Sequence, residues 1–136
     1  MKKAMLVAHR VLLILINIGV LVQMFLAGLW HAGVTETPDA HVFTGLSLLL
    51  LSLLALIAAF LARLDRSSIL LTGLLFLLIL AMPILIEQRR SGLPIISAFH
   101  PVVAAFIGMT AGAAMRSHGA EEESPETGVE SAPVTT

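Results

Sequence analysis

The sequence lacks cysteine entirely and carries few charged residues. Of its 136 residues none is cysteine, 12% are charged and 57% are hydrophobic, and its mean hydropathy is +0.96. The absence of cysteine excludes disulfides, thiolate metal sites, iron–sulfur clusters and covalent haem attachment, so a metal would need histidine, methionine or carboxylate ligands. A chain this apolar exceeds what a soluble domain needs to fill its core, which indicates an integral membrane protein.

Four uncharged apolar runs are long enough to cross a bilayer. They span residues 11–30, 42–62, 69–86 and 93–115. Each can cross about 30 Å of hydrocarbon at about 1.5 Å per residue, and a helix satisfies every backbone amide within its own segment. The connections after the second and third runs are short, which favours antiparallel neighbours. We therefore predict an all-α, up-down-up-down four-helix membrane bundle over residues 1–116.

Lysine and arginine are distributed unequally between the two ends of this predicted bundle. Six of the eight lie at the end that holds both termini, and only Arg89 and Arg90 lie at the other. Because cytoplasmic loops carry an excess of basic residues, we predict a multi-pass protein of the bacterial inner membrane with both termini cytoplasmic. Residues 117–136 are rich in Glu, Ser, Pro, Thr and Gly, which predicts a disordered acidic cytoplasmic tail.

Several classes of function fit this sequence poorly. It contains no Ser-His-Asp constellation, glycine-rich phosphate loop or paired carboxylates, so a non-enzymatic role is favoured. The basic clusters lie beside the predicted spans, which suits lipid headgroups and not nucleic acid. A proton-coupled exporter needs a carboxylate deep within a helix, whereas the acidic residues here lie at the ends of the apolar runs or in the tail.

Two histidines, His41 and His100, each lie at the start of an apolar helix, on the same side of the predicted bundle. Pro101 is best tolerated in the first turn of a helix, so we expect the last helix to begin near His100 and both imidazoles to lie in the outer leaflet. Two neutral imidazoles on facing helices could ligate a b-type haem. Alternatively, each histidine is a hydrated or capped interfacial residue, and Asp39 is the candidate partner for His41.

Small and polar residues accompany these histidines. Gly45 lies one turn after His41 on the same helix face, where it would leave room for a ligand or permit close helix packing. Gln23 lies at a similar depth in the first run, where it could donate a hydrogen bond to a ligand or join helices. Of the other histidines, His31 is expected in an interfacial aromatic belt, and His9 and His118 on the cytoplasmic surface.

Three segments carry a resemblance to known proteins: VQMFLAGL (22–29), DAHVFTG (39–45) and FHPVVA (99–104). They resemble the pattern of an uncharacterised family of short bacterial four-helix membrane proteins, and the histidine layout is similar to one half of heme A synthase. The resemblance implies His41 and His100 as axial haem ligands. Val42 and Pro101 stand where the synthase commonly carries arginine, and its outer-loop cysteines are missing, so the resemblance does not extend to synthase activity.

Two hypotheses of function therefore remain open. In the first, the chain binds haem b through His41 and His100, with Gly45 and Gln23 beside the cofactor, and serves in electron transfer. In the second, it is an accessory or structural subunit of a larger membrane complex, without a cofactor. The second hypothesis requires only a lipid-compatible scaffold, and its partners would be the bilayer and other membrane subunits.

Overall fold

The structure, a computed structural model, describes residues 2–122 apart from the side chains of residues 89, 90 and 117–122. Its helices are α1 (Lys2–His31), α2 (Asp39–Ala62), α3 (Arg66–Arg90), α4 (Pro94–Ser97) and α5 (His100–Glu122). Within this described part, four helices are long and apolar enough to cross a membrane, and only the single-turn α4 is not. The prediction of an all-helical bundle with four candidate membrane spans is confirmed.

The observed helices are longer than the apolar runs. α1 already contains Lys2 and Arg10, and α3 reaches Arg90, because a helix that satisfies its own backbone can continue beyond the hydrocarbon boundary. The last run is divided into α4 and α5, and α5 begins at His100 with Pro101 in its first turn, as predicted. α5 continues to Glu122, and residues 123–136 of the predicted tail lie outside the described residues.

The four long helices form a closed ring in the order α1, α2, α3, α5. α1 packs against α2 and α5, and α3 packs against the same two helices, so α2 lies diagonal to α5 and α1 diagonal to α3. Contacts between α1 and α2 pair Gly19 with Leu48 and Gln23 with His41, so the sequence numbers run in opposite directions. These neighbouring helices are therefore antiparallel.

The turn between α2 and α3 is closed by local hydrogen bonds. Arg63 adopts a left-handed conformation with φ 54°, and its N–H donates to the carbonyl of Phe60. Such a left-handed residue satisfies carbonyls at a helix end that have no partner within the helix. Asp65 Oδ2 accepts hydrogen bonds from the backbone N–H groups of Ser67 and Ser68 at 2.8 and 3.1 Å, which caps α3.

Side-chain burial is concentrated in one half of the bundle. We call the half that contains Lys2 and the α2–α3 turn the N-terminal half, and the half that contains the α1–α2 loop and α4 the loop half. All buried side chains of the described part lie in the N-terminal half, or at its boundary with the loop half: His9, Leu13, Ile16, Leu48, Ser52, Ala55, Ala58, Ala59, Ala62, Ser68, Thr72, Leu75, Ile79, Ile107, Thr110, Ala111 and Ala114. Many of these are small, so the helices approach closely there.

Candidate functional site

His41 and His100 meet across a diagonal of the bundle in the loop half. His41 lies in the first turn of α2, and His100 is the first residue of α5. Their ring centroids are 6.3 Å apart and their planes are inclined at 50°. Both side chains are partly buried. The fold therefore brings together the two imidazoles that the sequence identified, from helices that are not neighbours in the ring.

A backbone carbonyl on α1 orients His41. The Nδ1 atom of His41 lies 3.2 Å from the carbonyl oxygen of Gln23. Because a carbonyl only accepts, Nδ1 carries the proton, and Nε2 of the neutral ring keeps its lone pair. This tautomer is the one in which Nε2 can coordinate a metal. Asp39, the partner considered from the sequence, instead accepts a hydrogen bond of 2.8 Å from the hydroxyl of Thr37.

The side chain of Gln23 rests on the backbone of Gly45. A Cβ atom at position 45 would lie 2.6 Å from Gln23 Nε2, closer than non-bonded atoms approach, so any other residue here would displace the end of the Gln23 side chain. Gln23 Oε1 is enclosed and has no hydrogen-bond partner within the described part of the chain. The Gln23 side chain thus packs on Gly45, one turn from His41. The spacing of residues in the sequence did not reveal this contact.

His100 also has unused bonding capacity. Its Nδ1 atom is enclosed and has no hydrogen-bond partner among the described residues. The ring lies beside the backbone of Met82 on α3, so all four long helices contribute to the surroundings of the histidine pair. An enclosed polar atom without a partner costs about 1–3 kcal/mol, and a ligand that bonded this nitrogen would remove that cost.

The histidine pair supplies only two donors for a metal. Among the described residues there is no group of three or more His, Cys, Asp or Glu side chains that could hold a metal ion. Structural zinc sites take four protein ligands, and calcium takes six to eight oxygen ligands. A metal held by this pair would therefore need its remaining ligands from outside the described side chains.

His9 is fully buried, so the expectation that it lies on the cytoplasmic surface was wrong. Its Nε2 atom lies 3.0 Å from Thr72 Oγ1, across the other diagonal of the bundle. The Thr72 hydroxyl donates to the carbonyl of Ser68 at 2.8 Å, so it accepts its bond from His9. Hydropathy placed His9 outside the apolar run, but its spacing of four and seven residues from Leu13 and Ile16 marks one helix face.

His31 occupies the exposed position expected of an interfacial residue. Its Nδ1 donates to the carbonyl of Ala27 at 2.9 Å, and its ring meets the Trp30 ring edge-on at a centroid distance of 5.0 Å. It belongs to the end of α1 and not to the histidine pair. The side chain of His118 lies outside the described residues.

No model of a known protein family, no curated protein and no solved structure matches this chain. Its function is therefore inferred from the geometry of its own residues.

Proposed function

We propose that this chain binds one haem b between His41 and His100 in the outer leaflet of the bacterial inner membrane, and that it serves in one-electron transfer. The observation that carries the proposal is the pairing of two imidazoles at 6.3 Å across a diagonal of a membrane-type bundle. Haem, when bound, supplies the iron couple that accepts and releases one electron.

The distance between the rings would allow His41 and His100 to bind the same metal. Two imidazoles on opposite sides of one metal have centroids roughly 6 Å apart when each metal–nitrogen bond is about 2.0–2.1 Å. Adjacent positions of a tetrahedral site would bring the centroids to roughly 5 Å. At a separation of 6.3 Å, His41 and His100 would be able to hold one iron between them, and that iron would supply one-electron chemistry.

The protein's own groups would orient the ligands and shape the site. The Gln23 carbonyl holds the Nδ1 proton of His41, so the lone pair of Nε2 is the one available to iron. His100 would contribute its nitrogen from the opposite helix. Gly45 carries no side chain, and the Gln23 carboxamide occupies the space beside it. Both histidine side chains are partly buried.

An absorption spectrum tests this proposal directly. Protein purified from haem-replete cells should show the Soret and α bands of a six-coordinate b-type haem. His41→Ala and His100→Ala should each abolish or convert these bands, because neither Val42 nor Pro101 can coordinate iron. His31→Ala is the matched control and should leave them unchanged. A colourless wild-type protein, or bands that survive both replacements, would rule the proposal out.

The distribution of basic residues supports the orientation within the membrane. The N-terminal half carries Lys2, Lys3, Arg10, Arg63, Arg66 and Arg116, which favours the cytoplasm for that half and for both termini. A reporter fused after Thr136 should then be active only inside the cell. Activity outside the inner membrane would reverse the orientation and assign the histidine pair to the inner leaflet.

The second candidate function is that of an accessory subunit without a cofactor. An open groove of about 390 Å³ between α2 and α3 is lined by Leu, Ile, Phe and Gly and could receive another transmembrane helix. A lipid chain fills such a groove equally well. The groove therefore supports a subunit role less strongly than the histidine pair supports haem binding. A colourless protein that copurifies with one defined membrane partner in fixed ratio would favour this function.

A further inference from the structure

The two histidines of the pair differ in how their ring nitrogens are held. The Nδ1 atom of His41 lies 3.2 Å from the carbonyl oxygen of Gln23, to which it donates. The Nδ1 atom of His100 is enclosed and has no hydrogen-bond partner in the described part of the chain, although the backbone of Met82 lies beside the ring. A hydrogen bond to the second nitrogen orients a metal-ligating imidazole and raises its basicity, so His41 is the better-supported ligand.

The support of His41 involves two closely packed helices. Gln23, which accepts the hydrogen bond, packs its carboxamide on Gly45, where an added Cβ atom would lie 2.6 Å from Nε2. Of the four neighbouring helix pairs in the ring, α1 and α2 share the largest contact. A displacement of the His41 ring would therefore break a hydrogen bond that joins the most extensively packed pair of helices.

His100 is joined to the bundle less extensively. It is the first residue of α5, it follows residues 98–99 between α4 and α5, and the next residue, Pro101, has no N–H. Helix ends open more readily than helix interiors, because the first N–H groups have no partner within the helix. His41 also lies in the first turn of its helix, but its hydrogen bond to α1 holds the ring in place.

We propose that His100 is the exchangeable ligand of this site, and that a neutral diatomic molecule such as carbon monoxide binds the reduced iron in its place while His41 stays bound. This inference rests on the proposed function, because it concerns the same bound haem. Iron with two axial histidines has no open position, so a new ligand binds only after one histidine leaves. The exchange breaks one iron–nitrogen bond, forms one iron–carbon bond and transfers no electron.

Carbon monoxide added to the dithionite-reduced protein tests this proposal. The wild-type Soret band should shift to that of a carbon monoxide complex. The rate of this shift should level off at high carbon monoxide concentration, because the departure of His100 then limits it. His100→Ala keeps His41 and has no ring that must leave first, so its rate should rise in proportion to the concentration throughout.

The carbon–oxygen stretching frequency of the complex identifies the histidine that remains. This frequency responds to the ligand on the opposite side of the iron, so the wild-type complex should have the frequency of the His100→Ala complex. His41→Ala is the matched variant and should give a different frequency, because its remaining ligand is His100. If an alanine variant does not retain haem, His100→Met and His41→Met keep a sixth ligand and are compared in the same way.

Three results would overturn the proposal. If carbon monoxide leaves the bands of the reduced wild-type protein unchanged, neither histidine is exchangeable. If the wild-type frequency matches that of His41→Ala, His41 is the ligand that leaves. Equal frequencies in the two variants would show that the hydrogen bond to Gln23 does not distinguish the two ligands. Failure of the proposed function looks different, because the wild-type protein would then show no haem bands before carbon monoxide is added.

Discussion

The two halves of the bundle each contain histidine, and they use it differently. In the N-terminal half, His9 is fully buried and donates to Thr72, whose own hydroxyl proton is engaged by Ser68. In the loop half, His41 has one ring nitrogen bonded to a carbonyl, and His100 has an enclosed nitrogen without a partner in the described part. The His9 ring is bonded within the protein, whereas the His100 nitrogen without a partner in the described part is the feature on which the proposed ligand site depends.

Packing follows the same division. The N-terminal half contains the buried core around Leu13, Ala55 and Leu75, while the side chains around the histidine pair are only partly buried. Close-packed regions open rarely and loosely packed regions open often. We therefore expect the N-terminal half to hold the helices in register and the loop half to open more readily. Each of the following substitutions tests this division.

The largest effect is expected from a core leucine. Leu75→Ala removes a fully buried side chain and should lower the free energy of unfolding by about 2 kcal/mol or more, since lipid cannot fill the cavity left behind. Leu46→Ala, at a 55% exposed position of α2 in the loop half, should change it by less than about 0.5 kcal/mol. Detergent-induced unfolding measures both. Equal losses would show that the two halves are packed alike.

A smaller effect is expected from the buried hydrogen bond. Thr72→Val deprives His9 Nε2 of this acceptor and should cost about 1–3 kcal/mol. Combining it with His9→Phe should cost less than the sum of the two single changes, because both polar partners are then removed. Thr44→Val is the control, since that hydroxyl only donates to Ala40 in its own helix. Additive losses would mean that the bond contributes nothing.

The glycine beside the histidine pair should give a smaller effect still. Gly45→Ala displaces the Gln23 carboxamide and should lower the free energy of unfolding by about 1 kcal/mol, and Gln23→Ala in the same chain should restore it. Gly28→Ala has no neighbour within 4 Å of the added Cβ and should instead stabilise α1 by about 0.5–1 kcal/mol. Thermal unfolding of the three variants measures these changes in stability. Equal gains in stability from alanine at both glycines would show that Gln23 does not pack against Gly45.

The smallest effect is expected beyond α5. Removing residues 123–136 should leave the free energy of unfolding within about 0.5 kcal/mol of the full chain, because that composition is too polar to contribute to a core. Membrane insertion and the amount of folded protein after extraction are the measurements. A marked loss of folded protein on truncation would show that these residues pack against the bundle.

The sequence predicted the spans and the facing histidines for identifiable physical reasons. Uncharged runs of membrane length leave only helices, and Pro101 marks the start of α5 at His100. The hydrogen bond from His41 to the Gln23 carbonyl could not be predicted, because every residue has a backbone carbonyl and the residue type does not show which one accepts. The burial of His9 was missed since hydropathy averages over a window, whereas the burial of one side chain depends on the face it shares.

The bond between His9 and Thr72 joins residues 63 positions apart, and this separation orders events during synthesis. A ribosome delivers the chain from its N-terminus, so α1 and α2 can pair through Gln23 and His41, 18 positions apart, while α3 is still unmade. Until Thr72 emerges, the hydrogen bond between α1 and α3 cannot form. The packing of the first helix against the third is therefore completed only after the third has been made.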